Sequence, residues 1–154
     1  MESDTRLANA FIFYSATLLF FAVGAITTLG LPWYRALLLP AWAPSEFTVA
    51  VIWCVLFLLA ALSASAIWNH GTSRALSVLY AGNALLVLLW NYLFFGPHAL
   101  GLALLVAIIL ALSLVVLIIL AGRVSRRAAW LLAPYLAWLL FALALTHAIY
   151  RLNA

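Results

Sequence analysis

The chain has 154 residues, 70% of them hydrophobic and 6% charged, and its net charge of +4 comes from seven arginines set against Glu2, Asp4 and Glu46. A soluble domain carries roughly a quarter charged residues, and one of this size has too little interior to hide so many apolar side chains. The composition excludes a water-soluble globular domain, and arginines scattered between apolar runs exclude the clustered basic face that nucleic acid requires.

A helix that crosses the hydrocarbon core needs about 20 mostly apolar residues. Five segments supply them, so the sequence predicts an all-α membrane protein, a single bundle of five transmembrane helices. The first span is expected over residues 7–31, after the polar opening at residues 2–6. It is too long and too aromatic for the apolar core of a signal peptide. A rigid connection follows, with Pro32, Pro40 and Pro44 alongside Trp33 and Trp42. Ser45 and Glu46 then read as an N-cap and a first-turn acid. The second span is expected over 47–68 and ends in the polar run 69–74. The third, over 75–95, stops at Gly96 and Pro97, which punctuate a turn. The fourth covers 99–121 and ends among Arg123, Arg126 and Arg127. The fifth covers 128–150 and contains Pro134, which membranes tolerate inside a helix. Apolar and polar residues do not alternate in the way a β-barrel strand requires.

Orientation follows from arginine counts. Five spans place Arg6, Arg74, Arg123, Arg126 and Arg127 on one side, and Arg35 and Arg151 on the other. In a bacterial inner membrane this bias puts the N-terminus in the cytoplasm; the mitochondrial outer membrane is the alternative location.

No span carries Asp, Glu, Lys or Arg at its middle, which argues against ion-coupled transport. Phosphate-binding glycine loops, paired inward carboxylates and metal-ligand spacing are all absent from the sequence. His70 and His98 read as solvated loop residues, and His147 as an interfacial one. Cys54, within an apolar run, reads as a small buried hydrophobe. Alanine ladders at Ala99, Ala103, Ala107 and Ala111, and at Ala60 with Ala64 and Ala61 with Ser65, allow close helix approach inside the bundle or between two copies.

The remaining signal is aromatic. Among the seven tryptophans, Trp33, Trp42, Trp68 and Trp130 fall near span ends, as Tyr150 does, where the headgroup belt favours amphipathic rings. Trp53, Trp90 and Trp138 lie within spans. Helical spacing puts Trp53 with Phe57; Asn83 and Val87 with Trp90; and Tyr135 and Trp138 with Ala142 and Thr146. These faces either pack the bundle or wall an apolar pocket with a few polar points.

The motifs resemble a known family. The run Trp33-Tyr34-x-x-Leu37-x-x-Pro40-x-Trp42-x-Pro44 resembles the first-loop signature of the TspO/translocator protein family, also called tryptophan-rich sensory proteins or peripheral-type benzodiazepine receptors. Val51-Ile52-Trp53, Leu79-Tyr80-Ala81-Gly82, Trp90 with Leu93-Phe94-Phe95-Gly96, and Pro134-Tyr135-Leu136-Ala137-Trp138 continue the match through the chain. The resemblance implies a membrane receptor or sensor that binds tetrapyrroles such as protoporphyrin IX, or similar flat apolar ligands, and that transports them or regulates their metabolism. It implies a homodimer, lipid contact, no required cofactor and no metal. Trp42, Trp53, Phe57, Asn83, Trp90, Tyr135, Trp138 and Ala142 are the candidate ligand residues. An enzymatic alternative is light-dependent porphyrin breakdown, with Trp53 and Trp138 as the reactive indoles; a helper without ligand chemistry is another. The chain departs from the family pattern at Leu39, Ser45, Val87, Val106 and Thr146. Tyr150 directly abuts Arg151, so the spaced sterol motif of animal members is missing.

Overall fold

Five helices, all long and apolar enough to cross a membrane, make up the protein in a computed structural model that describes residues 2–70 and 74–153. They are α1 (Glu2–Tyr34), α2 (Glu46–Asn69), α3 (Arg74–Phe95), α4 (Leu100–Val124) and α5 (Arg126–Asn153). Lipid offers no hydrogen bonds, so each apolar run must bond its own backbone, and a helix does this within a single segment. The polar run after α2 includes Gly71, Thr72 and Ser73, which lie outside the described residues.

The helices close a ring in which α1 packs on α2 and α3, α2 on α5, α5 on α4, and α4 on α3. The N-terminus and the α2–α3 and α4–α5 turns share one end of the bundle. The 35–45 connection, the α3–α4 turn and the C-terminus share the other. Apolar burial against lipid drives little, so close packing and interhelical hydrogen bonds hold such a ring. Small residues on α4 bring it against its neighbours: Ala103, Ala107 and Ala111 are buried within this single chain. The first alanine ladder therefore serves internal packing.

Polar groups supply the second tie. Ser63 donates to the Ala128 carbonyl at 2.8 Å and accepts from the Tyr80 hydroxyl at 2.7 Å, linking α2, α5 and α3. Ser65, in the second ladder, donates to Asn9 on α1 at 2.8 Å. Helix α1 is the peripheral element, with only Val23 and Gly30 buried along its described side chains. At Gly30 a Cβ would sit 2.6 Å from Phe95 Cβ, so glycine permits the close approach of α1 to α3.

Two expectations change here. The first helix does not stop at Leu31 but runs through Pro32 to Tyr34. Proline removes one N–H and fixes a helical φ, both compatible with continuation when neighbouring packing holds the segment. Cys54 is exposed on the outer face of α2, not buried; lipid accepts a thiol as readily as a protein core does. Ser45 caps α2 as its sequence position predicts, accepting from the Thr48 N–H at 3.2 Å.

Candidate functional site

A cavity of about 380 Å³ lies inside the bundle at the end covered by the 35–45 connection. Its walls come from the C-terminal half of α1, the first two turns of α2, the last turns of α3 and the C-terminal half of α5. Each wall follows from helix periodicity: Val23, Thr27 and Leu31 on α1, Val49 and Trp53 on α2, Trp90 and Phe94 on α3, and Trp138, Ala142 and Thr146 on α5 are three or four residues apart. Large α1 side chains close the two ends of the cavity: Phe20 packs on Phe57 of α2, with ring centroids 6.3 Å apart, and Tyr34 on Phe94 and Phe95 of α3, at 6.1 and 5.8 Å.

The connection that covers this end is tied at three points. Arg35 grips Glu46 in a two-pronged ion pair, with Nε and a terminal guanidinium nitrogen 2.8 and 2.7 Å from the carboxylate oxygens. Both groups are solvent-exposed, so the pair sets geometry more than stability. Asn153 clamps Leu38, accepting from its N–H and donating to its carbonyl, each at 3.0 Å. Trp42 packs edge-on against Phe141 with ring centroids 5.5 Å apart. Beside this cover, His98, at a positive φ of 59°, stacks on Trp33 at 4.0 Å, so its ring is partnered and not simply solvated.

Of the eight residues singled out from the sequence, Trp53, Trp90, Trp138 and Ala142 line the cavity. Phe57, Asn83 and Tyr135 do not: they form the layer one to two turns deeper in the bundle. Phe57 and Tyr135 pack on Trp53, at 5.4 and 6.0 Å between ring centroids. Asn83 is no free polar point, because both its amide nitrogen and its carbonyl oxygen already have partners. Its carbonyl accepts from the Tyr135 hydroxyl at 2.9 Å, and its amide donates to Ser113 at 2.9 Å. Ser113 in turn donates to the Leu110 carbonyl at 2.9 Å. This relay joins α3, α4 and α5 and fixes the ring against which Trp53 rests. Trp42 lies outside, half exposed. The shared helical face predicted for these residues is present, but the cavity occupies only its upper turns.

Residues the sequence analysis did not single out also line the cavity, notably Asn91 and Thr27. Asn91 was visible as a polar side chain in the apolar run Leu88-Leu89-Trp90-Asn91-Tyr92-Leu93. Its amide donates to the Thr27 hydroxyl at 2.9 Å, joining α3 to α1. The positions that depart from the family pattern are apolar or self-satisfied: Val87 and Val106 are buried, and buried Thr146 donates back to the Ala142 carbonyl at 2.8 Å.

The cavity is not sealed. Gly24 and Thr28 on α1, and Phe47 and Ala50 on α2, line it and are exposed on the outer surface. A Cβ added at Gly24 would meet nothing within 4 Å. A lateral opening therefore runs between α1 and α2 toward the lipid. On the other side Trp138 also borders an outer groove between α2 and α5, with Val55, Leu59, Pro134 and Phe141. Its indole partitions groove from cavity. No group of three or more His, Cys, Asp or Glu able to hold a metal occurs among the described residues.

Comparison with known proteins places this architecture. The TspO/MBR family profile matches residues 12–151. The tryptophan-rich protein TspO of Bacillus cereus is 31% identical over 150 residues, covering 96% of this chain and 98% of that protein. The translocator protein of Sus scrofa is 37% identical over 129 residues, covering 80% and 76%. Protein CrtK of Rhodobacter capsulatus is 32% identical over 136 residues, covering 86% and 84%. With five membrane-spanning helices and a family match over nearly its whole length, this chain is an integral membrane protein of the TspO/MBR family.

Proposed function

We propose that this protein is a membrane sensor or carrier whose cavity takes a flat apolar ligand of the tetrapyrrole class. The observation that carries the reading is a cavity lined by three indoles, Trp53, Trp90 and Trp138, and open to lipid between α1 and α2. Aromatic walls favour planar ligands through area and ring geometry. An opening toward lipid suits a ligand that partitions into the membrane. The cavity volume sits at the lower end of the roughly 300–1,000 Å³ typical of small-molecule sites. A full macrocycle would therefore extend through the lateral opening, with its carboxylates toward the end that holds Arg35 and Arg151. Because Arg35 is engaged by Glu46, a ligand carboxylate competes with that pair for the cation.

The orientation belongs to the same proposal: arginine-rich turns in the cytoplasm, and the cavity end across the membrane. Dimerisation is also proposed, through outer helix faces, since the α4 alanine ladder is already buried.

The test is a titration of purified protein in lipid nanodiscs with protoporphyrin IX, read as tryptophan quenching in darkness and then as absorbance under light. Saturable quenching in darkness with unchanged porphyrin under light supports binding. Trp53 and Trp138 line one cavity, so a new absorbing product under light would favour the enzymatic reading. Absence of saturable quenching would overturn both.

A further inference from the structure

We propose that Asn91 is the specificity-determining residue of the cavity, selecting flat ligands that present an N–H or O–H donor beside a carbonyl-type acceptor. The inference rests on the reading of the cavity as a ligand site and names what that site selects.

Among the described residues, three buried side-chain polar atoms have no hydrogen-bond partner in the protein: Trp90 Nε1, Trp138 Nε1 and Asn91 Oδ1. All three belong to residues that line this one cavity. Other buried polar side chains are paired, Ser63 with Tyr80 and Ala128, Asn83 with Ser113 and Tyr135, and Thr146 with its own helix. Buried polar groups left unpaired cost folding free energy, and native structures keep few of them. Their concentration at the cavity marks a hydrogen-bonding pattern that a ligand completes.

Asn91 sets that pattern. Its residue is 2% exposed. Its amide nitrogen is committed to Thr27 Oγ1 at 2.9 Å, which orients the amide and leaves the carbonyl oxygen as its unpaired end. Thr28 and Thr146, also in the lining, turn their hydroxyls back onto their own helices. Glu46, at the rim, is held by Arg35. The Asn91 carbonyl is thus the unpaired acceptor among the lining residues, and the two indole N–H groups are their unpaired donors. All three are covered in the ligand-free cavity, so an entering ligand pairs with them by displacing the side chains that cover them. A lactam edge, or a pyrrole next to a carbonyl, has this complementary pair.

The probes are phenanthridinone, a flat three-ring lactam with N–H beside C=O, and its N-methyl derivative, each titrated into the nanodisc protein. One recovered buried hydrogen bond corresponds to about tenfold in affinity, so the N–H lactam should bind about tenfold tighter. Asn91→Leu should erase the difference by weakening the N–H lactam alone. The ligand-free variant should melt no lower than wild type, because leucine removes an unpaired buried carbonyl. Thr27 can then turn onto its own helix, as Thr17 and Thr28 do. If Asn91 served only to hold α3 to α1, Asn91→Leu would lower the melting temperature and leave both affinities unchanged. A preference that survives Asn91→Leu is steric and overturns the proposal. So does equal binding of both lactams, or no lactam binding where protoporphyrin IX still binds; in these cases the cavity reading stands. If protoporphyrin IX also fails to bind, the cavity reading has failed, and this inference with it.

Discussion

Replacing Trp138 by alanine removes the partition between the internal cavity and the outer α2–α5 groove. The indole stacks on Phe141 with centroids 5.1 Å apart at 26°, and its N–H has no protein partner. The change therefore breaks no internal hydrogen bond, and the loss to a ligand is at least area plus ring contact. A buried aromatic side chain covers about 150–250 Å², of which one face, roughly half, is available to a ligand. At about 25 cal/mol per Å² this corresponds to about 2 kcal/mol once the ligand re-seats, or between one and two decades in Kd. Trp138→Phe should keep part of it. The assay follows the porphyrin's own absorbance, because removing an indole alters tryptophan quenching by itself. Trp130→Ala is the control: Trp130 lies at the opposite end of the bundle and is 76% exposed, so its loss should leave affinity unchanged. Wild-type affinity in Trp138→Ala would refute the aromatic wall. Weakened binding in Trp130→Ala alone would place the ligand at the wrong end of the bundle.

Other consequences concern access, packing and orientation. Gly24→Leu combined with Ala50→Leu should narrow the lateral opening and slow association and dissociation together by stopped-flow, with Kd nearly unchanged; unchanged rates would place the route elsewhere. Ala103, fully buried against neighbouring helices, should tolerate leucine poorly: overpacking costs about 1–3 kcal/mol. Thermal unfolding should show this loss while the dimer fraction in crosslinking stays constant, and a lost dimer at constant stability would return the ladder to an intermolecular role. A reporter active only in the cytoplasm, fused after residue 154, should be silent; a bright fusion would reverse the orientation.

The five spans were legible because lipid imposes one strong rule, about 20 apolar residues per crossing, and the chain obeys it five times. Helix ends were less so. Pro32 reads as a stop in isolation, yet α1 passes through it. Trp53, Trp90, Trp138 and Ala142 were found from helical spacing and family motifs, since a cavity wall repeats every three or four residues. Spacing along an axis says nothing of depth, so Phe57, Asn83 and Tyr135 fell on the same faces but beneath the cavity. Asn83 shows why: its partners Ser113 and Tyr135 sit on other helices, 30 and 52 residues away. Asn91 and Thr27 join residues 64 apart, a pairing that only the ring order of the helices creates. The Arg35–Glu46 pair across the connection was equally hidden, because the first-turn position of Glu46 already gave it a local reason to be there.

Ala142 gives the most direct test of the central claim, that a flat apolar ligand occupies the space between Trp53, Trp90 and Trp138. It lines the cavity one turn after Trp138 and is 7% exposed, and leucine there would project new methyl groups into the space. The measurement is a dark titration of protoporphyrin IX into wild-type and Ala142→Leu protein in nanodiscs, with thermal melting of both. The account predicts saturable binding to wild type and at least about tenfold weaker binding to Ala142→Leu, a loss of about 1.4 kcal/mol, at an equal or higher melting temperature. Wild-type affinity in an intact Ala142→Leu protein would show that the ligand binds elsewhere.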